Sequence, residues 1–140
     1  YSRKGLGPER AQEMVRLGDV DRAGIIYGLH SDMPMAPASP LLLMHSAVNR
    51  INFADDISGP SQRISAKAAL RAVTSNAAYI LGIEDDVGSI SKGKLANLTI
   101  LSDNPLTINS KAIQDIEVIG TIVEGRNFPV YERGIRPESK

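Results

Sequence analysis

Residues 30–32 read His, Ser and Asp, three residue types that can do chemistry together. They are the residue types of a serine-hydrolase triad, but neighbouring residues of an extended chain point to opposite faces, so Ser31 is directed away from the other two. A triad also brings its members together from separate segments. His30 and Asp32 share a face, which leaves an HxD metal pair open. For His30 we favour a packing role over metal binding.

Asp32 follows residues 25–29, an apolar run without alternation. Such a run predicts a strand covered on both faces, as in parallel α/β sheets, with a buried helical segment as the alternative. Ligands bind beyond the carboxyl ends of such strands. Asp32 is therefore placed to bind a metal or to accept a proton. Turn hydrogen bonding through its side chain is the structural alternative, and spacing alone leaves both open.

Helices are predicted on both sides of Asp32. The spacing of apolar residues indicates helices over residues 8–17, 19–23, 40–50 and 65–82. Ser65 is predicted to cap the last of these. Thr74 or Ser75 is predicted to break it and cap its second half. Residues 1–7 and 51–64 are predicted as loops.

The C-terminal third reads as a small β unit. Strands are predicted near residues 95–101, 116–123 and 128–131, the last two joined by a turn at Glu124 and Gly125. The fold class is therefore α/β. We predict one unit over residues 1–86, a β-strand unit over 87–132 and a fraying tail over 133–140.

Other polar residues have structural explanations. His45 lies on an apolar helical stripe and is predicted to pack there. Lys92 and Lys94 flank a glycine in a turn whose spacing fits no phosphate loop, so both are predicted to be solvated. The acidic residues 84–86 are predicted to form a solvated turn rather than a cation site.

Composition narrows the classes of partner. The 140 residues carry sixteen acidic and sixteen basic side chains, which gives no indication of nucleic-acid or membrane binding. No stretch approaches the roughly 18 apolar residues of a membrane span. Cysteine is absent, which excludes disulfides and thiolate metal sites within these residues and leaves the compartment open.

Four ordered motifs resemble the amidohydrolase superfamily. "GLHSDMPMAPASPLLLMHSAVNR" is similar to its last barrel strand and following loop, and "ISAKAALRAVTSNAAYILG" to its helix pair. "DVGSISKGKLANLTIL" looks like its "GSI..GK.ADL.VL" signature, and "TIVEGR" like its closing strand. The resemblance covers residues 8–131 and is strongest to the exoenzyme regulatory proteins, near the N-substituted formamide deformylases.

The resemblance implies a structural context for Asp32. The chain would be the C-terminal piece of a metal-dependent (β/α)8 barrel, holding its eighth strand, flanking helices and part of a small β-sandwich. Asp32 matches the strand-eight aspartate that binds the metal, expected to be zinc, and takes the proton from the attacking water. The other family ligands have no counterpart here, and His30 matches none of them. Asn97 stands where the family usually has aspartate, at a structural position.

These implications give two hypotheses. The first is a longer enzyme that hydrolyses a non-peptide C–N bond in a small molecule. The second is a regulatory or ligand-binding protein that keeps the fold without catalysis. The present chain alone is expected to be inactive and to hold no cofactor. It is expected to associate as a dimer or larger, through residues 25–29 or the 95–131 sheet.

Overall fold

The computed structural model describes residues 2–52 and 54–130, which form short helices followed by a small sheet. Two 3-10 helices cover Pro60–Gln62 and Ser110–Asp115. No helix in these ranges is long and apolar enough to cross a bilayer. The predicted tail lies outside the described residues. The α-helices are α1 (Ser2–Leu6), α2 (Pro8–Gln12), α3 (Leu17–Arg22), α4 (Pro40–Asn49), α5 (Ala66–Ala72) and α6 (Ser75–Leu81).

Capping residues set the ends of the longer helices, and the cap at Ser65 was predicted from the sequence. The Ser39 hydroxyl accepts from the Leu42 amide at 3.3 Å, at the start of α4. The Ser65 hydroxyl accepts from the Ala68 amide at 3.1 Å, at the start of α5. Each bond satisfies an amide that has no partner within its helix. Gly82 ends α6 in the left-handed conformation, with φ of 69°.

Several helix predictions were wrong in detail, since α2 ends at Gln12 rather than near residue 17 and α3 begins at Leu17 rather than at residue 19. Residues 2–6 form α1 rather than loop. The break between α5 and α6 falls where it was predicted, but Thr74 caps nothing with its side chain. Its hydroxyl instead donates to the Leu70 carbonyl at 2.7 Å, four residues earlier, which is a common alternative for threonine at the end of a helix.

The three predicted strands form one antiparallel sheet in the order β1–β2–β3. Their bounds are Leu98–Leu101, Val118–Val123 and Arg126–Pro129. Glu124 and Gly125 both have positive φ, at 50° and 81°, as a two-residue hairpin turn requires. The Asn97 side-chain oxygen accepts from the Glu124 amide at 2.8 Å, which ties β1 to this turn.

Residues 25–29 do not form the predicted doubly covered strand. They lie outside regular secondary structure, and Ile25 and Ile26 are 58% and 49% exposed. Only Tyr27 and Leu29 pack against the core. The Leu29 amide donates to the Ala72 carbonyl at 3.3 Å, so the segment is attached to the end of α5. No second strand pairs with it in the described ranges, and a strand without a ladder partner is not formed.

The buried core joins the helical region to the C-terminal region. Met44 and Ile113 are its largest fully buried side chains. Ile113 lies in the 3-10 helix Ser110–Asp115 and packs against α4 and α5. Burying a side chain of this size contributes about 1.5–3 kcal/mol. The core cluster consists of Met44, Ala47, Ile64, Ala68, Ala69 and Ile113.

A buried polar cluster strengthens the same junction. Asn49 is 6% exposed, and its side-chain amide donates to the Ser110 carbonyl at 2.8 Å and to the His45 carbonyl at 3.1 Å. The Ser110 hydroxyl donates back to Asn49 Oδ1 at 2.8 Å. His45 Nδ1 lies 3.3 Å from Asn49 Nδ2. His45 is therefore a buried structural residue, as predicted.

Candidate functional site

Asp32 lies in the loop between residues 25–29 and α4, with an exposed side chain. Its carboxylate makes no hydrogen bond or ion pair with any residue from 4 to 52 or from 54 to 130. Its backbone is left-handed, with φ of 51°, a conformation that aspartate adopts more readily than most residues. An exposed carboxylate without a protein partner remains available to a ligand.

His30 contacts Asp32 through the backbone rather than through the carboxylate. The Asp32 amide donates to His30 Nδ1 at 3.1 Å. Because Nδ1 accepts, the proton of the neutral ring is on Nε2. The expectation that His30 packs in the interior was therefore wrong, since His30 is exposed. The sequence analysis treated residues 30–32 as an extended chain and so did not predict this contact. The left-handed conformation of Asp32 brings its amide back to the His30 ring.

The loop beyond Asp32 is held at both ends. The Asp32 carbonyl accepts from the Met35 amide at 2.8 Å, which closes a four-residue turn. The Met33–Pro34 peptide bond within this turn is cis. At the far end, Pro40 is the first residue of α4. The loop thus leads from Asp32 directly into α4, the longest helix among the described residues.

The residues near Asp32 do not complete a metal site. No three His, Asp or Glu side chains within the described ranges lie close enough to hold a metal ion. A catalytic zinc normally has three protein ligands and a water. His45 is buried in the helical core and has no described contact with Asp32. Asp32 could supply one ligand, so these residues alone do not fit a complete metal centre.

The prediction that Lys94 is solvated was wrong. Lys94 is half-buried, and its ammonium group donates to the Glu84 carbonyl and, at 3.2 Å, to the Val87 carbonyl. The ammonium thereby satisfies carbonyls that follow the end of α6. Asp85 and Asp86 are exposed, whereas Glu84 is half-buried, so the acidic turn is only partly solvated. The Lys94 contacts stabilise the turn, whereas the Glu84 carboxylate keeps one buried oxygen, Oε2, without a hydrogen-bond partner within the described residues.

Arg50 forms a second polar centre that sequence reasoning missed. Its guanidinium donates to the carbonyls of Met14 at 2.7 Å, Val15 at 3.3 Å and Ser58 at 2.9 Å. Burial lowers the pKa of Arg50 below its usual value. The group lines a cavity of about 440 Å³ beside α2. No pattern in the sequence marked this role, because Arg50 donates to backbone carbonyls and its left-handed conformation at the end of α4 is seen only in the structure.

A more apolar cavity lies between the helices and the sheet. Its volume is about 410 Å³, and its walls include Leu41 and Met44 of α4, Leu70 of α5, and Leu101 and Val118 of the sheet. Ala38 and Ser39 at the end of the Asp32 loop also line it, as does Pro40 at the start of α4. This cavity adjoins the loop but contains no titratable group.

The arrangement of helices and sheet matches known amidohydrolase structures. An amidohydrolase from Thermotoga maritima superposes on 84% of this chain and 26% of its own length, with a TM-score of 0.61 and 23% sequence identity. At that identity the likeness defines the fold alone. The fold is thus a mixed arrangement of helices and strands shared with part of an amidohydrolase.

Sequence comparison identifies the family. A profile described as "Amidohydrolase family" matches residues 2–128, and the chain belongs to this family. N-substituted formamide deformylase of Arthrobacter pascens is 35% identical over 103 residues, which are 74% of this chain and 19% of the relative. Protein LONG AFTER FAR-RED 3 of Arabidopsis thaliana is 38% identical over 127 residues, 89% of this chain and 22% of the relative. The chain spans about a fifth of the length of these two relatives.

Proposed function

We propose that these residues form the C-terminal part of a metal-dependent amidohydrolase that cleaves a non-peptide C–N bond in a small molecule. Membership of the amidohydrolase family supports this proposal. So does the similarity to a protein named as an N-substituted formamide deformylase. The observation that carries it is Asp32, an exposed carboxylate without a protein partner in the part of the chain that the structure describes.

In this proposal Asp32 acts as a metal ligand and general base. Asp32 would supply one ligand to a divalent metal, proposed to be zinc, whose chemistry when bound would be to activate a water for attack. The Asp32 carboxylate would accept the proton of the water that attacks the substrate carbonyl. The remaining ligands would come from residues outside this chain, since those described here do not suffice.

Residues 25–29 take their place in the same proposal as the last strand of a (β/α)8 barrel. Tyr27 and Leu29 already face the helical core, while the alternate residues Ile26 and Gly28 are exposed. This alternation fits a segment that has one face covered by helices. Pairing with neighbouring strands of a longer chain would complete the ladder that residues 25–29 lack here.

The test is Asp32→Asn in the complete protein that carries this chain. The amide keeps the size of the side chain but removes the base, so we expect kcat to fall by about 10²- to 10⁴-fold. Asp85→Asn, at an exposed position in the acidic turn, is the matched control and should leave kcat unchanged. Near wild-type turnover of Asp32→Asn against N-formyl and other amide substrates would remove Asp32 from the mechanism.

A second candidate is a regulatory or ligand-binding protein with the same fold. It is favoured by the Arabidopsis relative, which matches a longer stretch than the deformylase and whose name states no reaction. A binding protein would bind a small molecule without turning it over. Saturable binding with no product, unchanged by Asp32→Asn, would support this candidate and contradict the enzyme.

A further inference from the structure

The position of Asp32 depends on two backbone hydrogen bonds. Its amide donates to His30 Nδ1 at 3.1 Å, and its carbonyl accepts from the Met35 amide at 2.8 Å. Its carboxylate contributes no bond within the described ranges. The imidazole of His30 is therefore the group that fixes Asp32 on its N-terminal side. Without the imidazole, Asp32, which is left-handed with φ of 51°, would keep only the bond from the Met35 amide to its carbonyl.

The contact between His30 and Asp32 has the geometry of an Asx-type turn. In such a turn an asparagine or aspartate side chain accepts from the amide two residues further along. Nδ1 of histidine is attached to Cγ, as Oδ1 of asparagine is, and reaches the same place. The same chain uses asparagine in this way at three other turns, with Oδ1 accepting at 2.8–3.0 Å: Asn52 from Ala54, Asn104 from Leu106 and Asn109 from Lys111.

We propose that His30 is a positioning residue for Asp32. Through Nδ1 it holds the Asp32 backbone in the left-handed conformation that leaves the carboxylate exposed and unpaired. His30 does not transfer a proton in this proposal, and its ring need not touch the substrate. The inference rests on the proposed catalytic role of Asp32. It also predicts that a residue with a correctly placed acceptor can replace His30.

Two substitutions of similar size separate this role from simple packing. His30→Asn keeps an acceptor two bonds from Cβ, whereas His30→Leu fills similar space without one. In the complete protein, with the divalent metal at saturation, we expect His30→Leu to lower kcat by about 3- to 10-fold, the value of one neutral hydrogen bond. His30→Asn should stay within roughly 2-fold of wild type, because its Oδ1 restores the bond. KM should change less than kcat, since the ring is not proposed to bind substrate.

Hydrogen–deuterium exchange at the Asp32 amide gives a second measurement that needs no turnover. Exchange resolved to single residues should be slow in wild type and His30→Asn, and faster in His30→Leu. Equal exchange and equal kcat in the Leu and Asn variants would overturn the positioning role. A kcat that falls equally in both variants would overturn it too, and would assign the ring a role that asparagine lacks.

The outcomes also separate this inference from the proposed function. Loss of activity in Asp32→Asn with full activity in His30→Leu would refute the positioning role and leave the function standing. Full activity in Asp32→Asn would refute the catalytic role, while slow exchange in His30→Asn and fast exchange in His30→Leu would still establish the turn.

Discussion

Replacing Asn49 by alanine should destabilise the folded chain through the loss of one buried cluster. The Asn49 side chain makes two hydrogen bonds with Ser110, one as donor and one as acceptor, each at 2.8 Å. These bonds connect residues 61 positions apart in sequence. Alanine at 49 leaves the carbonyl of the half-buried Ser110 without its donor. The core residue Ile113 lies three residues further along the same 3-10 helix.

The magnitude follows from the groups left unpaired. A buried carbonyl without a donor costs about 1–3 kcal/mol. Alanine is the better helix former and offsets roughly 0.5 kcal/mol of that loss at the end of α4. We therefore expect the free energy of unfolding to fall by about 1.5 kcal/mol. With an m-value of about 1–3 kcal/mol/M in urea, the midpoint should fall by roughly 1 M.

The assay is urea unfolding followed by far-UV circular dichroism. Asn104→Ala is the matched control, because Asn104 is exposed and its side chain accepts only from the Leu106 amide, at 2.9 Å, within its own turn. The control should change the free energy of unfolding by less than about 1 kcal/mol. If Asn49→Ala and Asn104→Ala shift the midpoint equally, the buried cluster does not hold the two regions together.

Two further predictions concern association and acidity. We propose that the chain associates through its sheet, where Ile119 is 53% exposed, so Ile119→Lys should shift sedimentation toward the monomer while Ile90→Lys, at an 89% exposed turn position, should not. A wild-type monomer at every concentration would contradict this proposal. Hydrogen bonds from Arg16 and Gln62 lower the pKa of Asp19, so its stabilising contribution is present above about pH 4 and is lost as pH falls through the lowered pKa. In Asp19→Asn the free energy of unfolding should fall less than in wild type as the pH is lowered below about 4. The same fall in both proteins would contradict this role of Asp19.

Local patterns predicted most elements correctly. The β-branched residues of β2 and the turn at Glu124 and Gly125 encode a hairpin whose partners are neighbours in sequence. Ser65 encodes the start of α5 in the same way, since a capping side chain acts within three residues. The strand prediction for residues 25–29 was wrong because a strand needs partners that are distant in sequence. An apolar run does not show whether those partners are present.

The roles predicted for Asp32 stay predictions, and the local geometry around it was not predicted. Asp32 follows from the position of a carboxylate after an apolar run, although its catalytic role remains a prediction. The bond from its amide to His30 depends on one left-handed residue, and treating residues 30–32 as extended concealed it. Arg50 and Lys94 were missed because each donates to backbone carbonyls, which the identities of surrounding side chains do not reveal.

The buried position of Ile113 has a consequence for synthesis of the chain. Ile113 follows Ile64, its partner in the core, by 49 positions, and both are largely inaccessible to solvent once folded. At about 5–20 residues per second, a ribosome adds Ile113 roughly 2–10 s after Ile64. Throughout that interval Met44 and the alanines of α5 lack the cover that Ile113 provides in the folded chain. A nascent helical region of this kind is a natural client for chaperones that bind exposed apolar segments.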